Sequence, residues 1–404
     1  MDTTKHDRSR PIQDWPLSVR LLLNIGHAID HMYLLVFAAA VAVIAIDFGF
    51  TRWEDLMPFG VGAFVLFGLG ALPAGRLGDL WGRRKMMLVF FYGMSGSMLL
   101  AAMAQSAWQL AAALTIMGAF ASIYHPVGIP MLVQRSARPG MAIGVNGLAG
   151  NLGVAVAALV TGFLVKWFDW RSAFVVPAVI ALVCGILFTR WCPHEDSAPS
   201  KGTIKAKVQL PPKLLVRSLL VLTMASVSAN MLFNFTTNGN GQLMAERFKG
   251  LIEDPAMLGL LLALVYAIGA LAQVVVGRLL DRVAVKPLFL SIVMLQMPLL
   301  LLASVSQGWL LYAALIGCMV FIFGAIPFVD VVIVRYVDDR MRSRVAGFRF
   351  AVSLGVSALA VWILGPFVKS AGFDSLFMFM ALISLCTFCV VLMLPGERTS
   401  TVQG

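Results

Sequence analysis

Along this chain, apolar stretches of membrane-spanning length alternate with short polar breaks. An α-helix needs roughly 17–25 predominantly apolar residues to cross a hydrocarbon layer. By that measure, helices are predicted at about 20–46, 57–75, 86–104, 108–133, 141–165 and 171–190, and again at about 215–238, 257–280, 286–304, 308–335, 344–367 and 373–394. Between the two sets the composition changes. Pro193, Glu195, Asp196, Ser197, Pro199, Lys201, Gly202, Pro211 and Pro212 make residues 191–214 a hydrophilic linker. The predicted fold is an all-α membrane protein of twelve transmembrane helices, with one six-helix bundle in residues 1–190 and another in residues 215–404.

Composition excludes a soluble protein. Hydrophobic residues make up 60% and charged residues 13% of the chain, too few to cover a water-exposed surface. The net charge of +11 is distributed unevenly: 24 Lys and Arg fall on the side of the termini and the linker, against six on the other. This asymmetry predicts that both termini and the linker are cytoplasmic in a multi-pass protein of the cytoplasmic (inner) membrane. It also accounts for the basic charge without a nucleic-acid partner. The first twenty residues are polar and the first apolar run is long enough to span, so no cleaved leader is expected. Five cysteines, in helices or on the cytoplasmic side, predict no disulfide. Cys386 and Cys389, although spaced CxxC, read as packing residues on an apolar helix.

One phrase occurs twice. GRLGDLWGRRK runs from Gly75 to Lys85 and GRLLDRVAVK from Gly277 to Lys286, and the copies start 277 − 75 = 202 positions apart in a chain of 404 residues. Each reads as a tight polar turn between two spans, and the duplication implies two bundles related by pseudo-two-fold symmetry. On this phrase the chain resembles the major facilitator superfamily, whose loop between helices 2 and 3 reads G-x-L-x-D-r-x-G-r-K/R. Gly75, Leu77, Asp79, Gly82, Arg83 and Arg84 match it, with Leu80 in place of the usual basic residue. Gly277, Leu279, Asp281 and Arg282 match in the second copy, with Ala284 in place of the later glycine. The resemblance implies alternating access, with Gly75, Arg76, Asp79, Gly82 and Arg83, and again Gly277, Arg278 and Asp281, acting as a latch between the halves. A carboxylate such as Asp79 suits that role because it can accept charge-assisted bonds and sit against a helix N-terminus.

Within that superfamily the chain is most similar to fosmidomycin-resistance-like exporters. The likeness rests on GHAIDHM (Gly26–Met32), GAFASIYHPVGIP (Gly118–Pro130) and GVNGLAGNLG (Gly144–Gly153). It implies export. The chain lacks both the Gly-Pro pair of helix 5 and the embedded Arg of helix 4 found in many proton-driven drug exporters, which leaves the direction of transport open.

Ionisable groups in the hydrocarbon region cost roughly 2.5–3.5 kcal/mol each on insertion scales, so they mark candidate sites. The first helix carries Asn24, His27, Asp30 and His31, which fall within about 120° of one helical face. The fourth adds Tyr124 and His125, followed by Pro126, which interrupts the backbone ladder. The seventh presents Asn230, Asn234 and Asn238 at i, i+4 and i+8, either as interhelical glue or as a substrate-contacting stripe. Asp330 and Arg349 sit at similar depth on neighbouring antiparallel helices, as an ion pair or with Asp330 in a proton path.

These residues predict a proton-coupled secondary carrier that exports a small organic solute, with Asp30, His27, His31 and His125 exchanging protons. An alternative changes the cargo: His27 and His31 at i, i+4, completed by Asp30 or His125, suit a transition metal or its chelate. A second alternative is a membrane sensor on a carrier scaffold. The carrier is expected to act as a monomer that is not an enzyme. It should need no cofactor, the proton gradient being its energy source, and its partners should be the solute, protons and the lipid bilayer.

Overall fold

The computed structural model describes residues 14–136, 138–194, 212–280, 282–336 and 339–394, and among the described residues there is no strand. The first half contains α1 (Leu17–Asp47), α2 (Trp53–Leu69, continued after a 45° bend by Ala71–Trp81) and α3 (Arg83–Ala102). It is completed by α4 (Ala107–Gln134), α5 (Pro139–Trp167) and α6 (Ser172–Trp191). The second half contains α7 (Pro212–Arg247), α8 (Pro255–Leu280), α9 (Val285–Val305) and α10 (Gly308–Tyr336). A continuous helical run, Asp339–Leu392, follows. Gly372, at φ 78° and ψ 170°, breaks it into α11 (339–371) and α12 (373–392), which completes the twelve expected spans. Most of the linker, residues 195–211, lies outside the described residues.

The repeated phrase departs from the expected tight turn. Gly75 to Trp81 complete α2, and only Gly82, at φ 92° and ψ 142°, leaves helical geometry before Arg83 opens α3. Positive φ is sterically cheap for glycine alone, so this one residue is enough to end one helix and begin the next. In the second copy, Gly277 to Leu280 end α8 and Lys286 lies in the first turn of α9. The two copies also share a structural role. Arg84 donates to the Thr189 and Cys192 carbonyls at the end of α6 (2.9 and 2.8 Å), and Lys286 donates to the Leu392 carbonyl at the end of α12 (2.7 Å). Each cation satisfies carbonyls that the last turn of a helix leaves unpaired.

Large apolar side chains such as Ile46, Leu72, Val179, Leu220, Leu271 and Leu382 are exposed on the outside of the bundle. A hydrocarbon layer covers such a surface, and the helices satisfy their own backbone groups within it. The halves meet chiefly where α5 packs on α8 and α2 packs on α11. The approach of α8 to α5 depends on a glycine, since a Cβ on Gly259 would fall 2.5 Å from the Ala158 carbonyl oxygen. One face is tied across the halves at its edges: Lys166 pairs with Asp254, Lys369 pairs with Asp55, and Trp53 stacks on Phe373 with ring centroids 6.1 Å apart. This is the face where α1 ends at Asp47.

Candidate functional site

A cavity of about 410 Å³ lies between the halves. Its two walls differ in chemistry. His27, His31 and His125, with Phe64 and Phe67, form the wall from the first half, and Ser226, Asn230, Asn234, Thr237 and Ser357 form the wall from the second. Asn151 of α5 donates a hydrogen bond to Gln273 of α8 across the interface, and both line the cavity. A smaller cavity of about 180 Å³ continues toward the tied face and shares Leu35, Val154 and Thr237 with the larger one.

The imidazole wall arises from two local features. In α1, the 3.6-residue period aligns Asn24, His27 and His31 on one side, with Asp30 beside them. In α4, Pro126 removes a backbone donor and the helix widens into a π turn over Tyr124–Gly128, which swings His125 toward α1. Ring centroids lie 4.9 Å apart for His27 and His31, 5.1 Å for His27 and His125, and 5.5 Å for His31 and His125. His27 Nε2 is 3.2 Å from His31 Nε2, and His125 Nε2 is 3.4 Å from Asp30 Oδ2. Asp30 is 0% exposed, and neither of its oxygens has a hydrogen-bond partner.

The residue that organises this wall, Asn146 of α5, was not among those singled out from sequence. Its backbone carbonyl accepts a 2.7 Å hydrogen bond from His27 Nδ1, and its amide donates to Asn24 Oδ1 (2.9 Å) and to the Tyr124 hydroxyl (2.7 Å). Tyr124 donates in turn to the Leu23 carbonyl at 2.6 Å and stacks on His27, with ring centroids 4.8 Å apart. The carbonyl can only accept, so His27 carries its proton on Nδ1 and turns a bare Nε2 toward His31. Close approach of α5 is permitted by Gly150, where a Cβ would fall 2.7 Å from His27 Cε1. The signal for Asn146 was present as a polar residue inside the glycine-rich run Gly144–Gly153. Asn151 in the same run and Gln273, an amide within apolar α8, were legible in the same way.

The asparagine stripe of α7 divides. Asn230 and Asn234 line the large cavity, whereas Asn238 is buried beside the smaller one. The three amides donate to the carbonyls one turn back, Ser226, Asn230 and Asn234, at 2.9, 2.9 and 3.0 Å, and Asn234 also donates to Ser357 Oγ at 2.9 Å. The side chains of Asp330 and Arg349 lie outside the described residues, as does Asp281. At the polar phrase, Arg83 donates to Gln134 at 2.9 Å. Asp79, Arg76 and Arg278 are exposed, and Gly75 and Gly277 are half-buried. These phrase residues do not join the cavity.

A model of the Major Facilitator Superfamily matches residues 23–249 and 230–403. The multidrug resistance protein MdtG of Serratia proteamaculans is 27% identical over 290 residues, covering 68% of this chain and 67% of that protein. The multidrug efflux pump LfrA of Mycolicibacterium smegmatis is 32% identical over 197 residues, covering 48% of this chain and 38% of that protein. Among solved structures, a bacterial homologue of the human lysosomal transporter Spinster, captured inward-facing and occupied, aligns with a TM-score of 0.70 over 93% of this chain and 94% of that one. Its identity is 13%, which makes it a likeness of fold.

Proposed function

Because this chain belongs to the Major Facilitator Superfamily, we propose that it is a proton-coupled exporter that moves a small organic solute across the cytoplasmic membrane by alternating access. The observation that carries the reading is the cavity between the halves, whose volume of about 410 Å³ suits a small solute and whose three lining histidines stand in front of a fully buried carboxylate, Asp30, with His125 Nε2 3.4 Å from it. Export is favoured by the likeness to multidrug efflux proteins.

In the mechanism, solute sits between the His wall and the amide and hydroxyl wall, and rocking of residues 1–190 against 215–394 exposes it to alternate faces. Asp30 and the adjacent imidazoles take up and release the coupling protons. They can do so because His125 lies 3.4 Å from Asp30 and all three imidazoles line the cavity. Asp55–Lys369 and Lys166–Asp254 hold one face shut, and the charge asymmetry assigns that face to the outside. Asp79 and its basic neighbours, with Asp281 in the second copy, form the latch of the opposite state.

The test is export from everted vesicles or proteoliposomes across a panel of drugs and organic acids, with and without a pH gradient. The expected result is solute-specific flux that collapses when nigericin dissipates the gradient. Gradient-insensitive flux would remove the coupling, and binding without any flux or counterflow would remove the carrier.

A further inference from the structure

The side chains around Asp30 also have the arrangement of a coordination site. One donor atom from each of His27, Asp30, His31 and His125 lies within 4.8 Å of the others. Metal–ligand bonds of about 2.0–2.1 Å in a tetrahedron give ligand–ligand edges of about 3.3–3.4 Å. Two edges already have that length, at 3.2 Å for the His27–His31 pair and 3.4 Å for the His125–Asp30 pair. The widest separation needs to contract by about 1.4 Å, which is within reach of small χ changes.

Two further observations point to a ligand. Both Asp30 oxygens are fully buried with no hydrogen-bond donor, in a place where an isolated carboxylate is costly. His27 is anchored from behind through Nδ1 by the Asn146 carbonyl, which fixes the tautomer whose Nε2 lone pair points into the cluster, 3.2 Å from His31 Nε2. Metal-ligating histidines are oriented by this kind of outer-shell bond. The cavity, lined by all three histidines, supplies an entry path.

We propose that His27, Asp30, His31 and His125 bind one divalent transition-metal ion of the Zn²⁺, Co²⁺ and Ni²⁺ class. Three imidazoles and one carboxylate suit these borderline ions. The set offers neither the thiolates and thioethers that select Cu⁺ nor the oxygen cage that Mg²⁺ and Ca²⁺ require. All four ligands come from α1 and α4 of the same half. The ion therefore does not cross-link the halves, its coordination survives their rocking, and it travels with the first half toward whichever face is open. The ion and the coupling protons compete for these four groups, so the site is filled only while they are deprotonated; a metal site and solute transport can still each fail while the other holds.

The experiment uses the full-length chain, purified in detergent with any affinity tag removed. ZnCl₂ is titrated calorimetrically, and CoCl₂ is titrated with the visible spectrum recorded. The expected result is one saturable site and the intense d–d absorption of four-coordinate Co²⁺. His31→Gln and His125→Gln, each checked for monodispersity, should weaken Zn²⁺ binding at least about tenfold, whereas His194→Gln, an exposed histidine outside the cavity, leaves it within about twofold. Absence of saturable binding by the parent, a weak six-coordinate Co²⁺ spectrum, or unchanged affinity in both His variants would overturn the site. Gradient-driven solute flux is measured on the same preparations: flux without metal binding refutes the site alone, and metal binding without flux refutes the carrier alone.

Discussion

Replacing Asp30 with asparagine separates a functional carboxylate from a structural one. The substitution preserves shape, so it opens no cavity in a position that is 0% exposed. What it removes is charge. If Asp30 and His125 are both ionised at 3.4 Å, their attraction is roughly 5 kcal/mol at an effective dielectric constant of 20. Holding two ions out of water costs several kcal/mol each, so the pair contributes little net stability. An imidazole whose mate is gone can release its proton, so Asp30→Asn strands no buried charge: it should leave the midpoint of thermal unfolding in detergent close to the parent's, a change within about 1 kcal/mol, and not the roughly 3–5 kcal/mol lost when a buried ion that cannot neutralise itself is stripped of its mate. Transport should change completely. One pH unit is worth about 1.4 kcal/mol per proton, so a one-for-one exchanger reaches about tenfold solute accumulation across such a gradient. In proteoliposomes, Asp30→Asn should accumulate solute to onefold while keeping solute counterflow, which needs no net proton movement. Accumulation near tenfold in the variant would refute the coupling role. A collapse of thermal stability would instead make Asp30 a structural residue.

Further outcomes follow from the packing. Gly150→Ala places a Cβ 2.7 Å from the His27 ring and should cost about 1–3 kcal/mol of thermal stability along with most transport, whereas Gly144→Ala, whose Cβ meets nothing within 4 Å, should be neutral or slightly stabilising. Asn146→Ala removes two hydrogen bonds of 2.9 and 2.7 Å but keeps the backbone acceptor of His27. At around 0.6 kcal/mol per interhelical bond, a loss of about 1 kcal/mol is expected by thermal melt. Asp55→Asn combined with Asp254→Asn should raise, severalfold, the maleimide labelling from the tied face of a cysteine placed at Leu258, in a background carrying Cys386→Ser and Cys389→Ser. The Lys166 hydrogen bond holds the Asp254 carboxyl below its ordinary value, so this tie is present at neutral pH and is lost only as pH falls through that lowered value. Labelling at Leu258→Cys, divided at each pH by that of a fully exposed cysteine to cancel the change in thiolate fraction, should accordingly be flat between about pH 5.5 and 8; a steep rise toward the acid end of that window would count against the ion pair. Asp79→Asn should slow turnover with solute binding kept, and unchanged turnover would argue against the latch.

The twelve spans and the polar groups that hydrocarbon makes expensive were legible in the pattern along the chain, as was the expectation of two halves. Those are properties of a helix considered alone: length, period, and the cost of burying a charge. The period of α1 put His27, Asp30 and His31 near one another, and Pro126 marked where α4 would yield. Periodicity gives a face but not what stands opposite it. Packing of the helices against one another brought His125 within 3.4 Å of Asp30, made Asn146 the anchor of His27 and Tyr124, and divided the α7 stripe between two cavities. It also turned most of the expected polar loop into helix, because one positive-φ glycine at Gly82 was enough to reverse the chain. Distances between groups remote in sequence, Asp30 and His125 above all, depend on how α1, α4 and α5 pack together. That packing is set by small residues such as Gly150, whose missing Cβ lets the helices close until the polar groups touch.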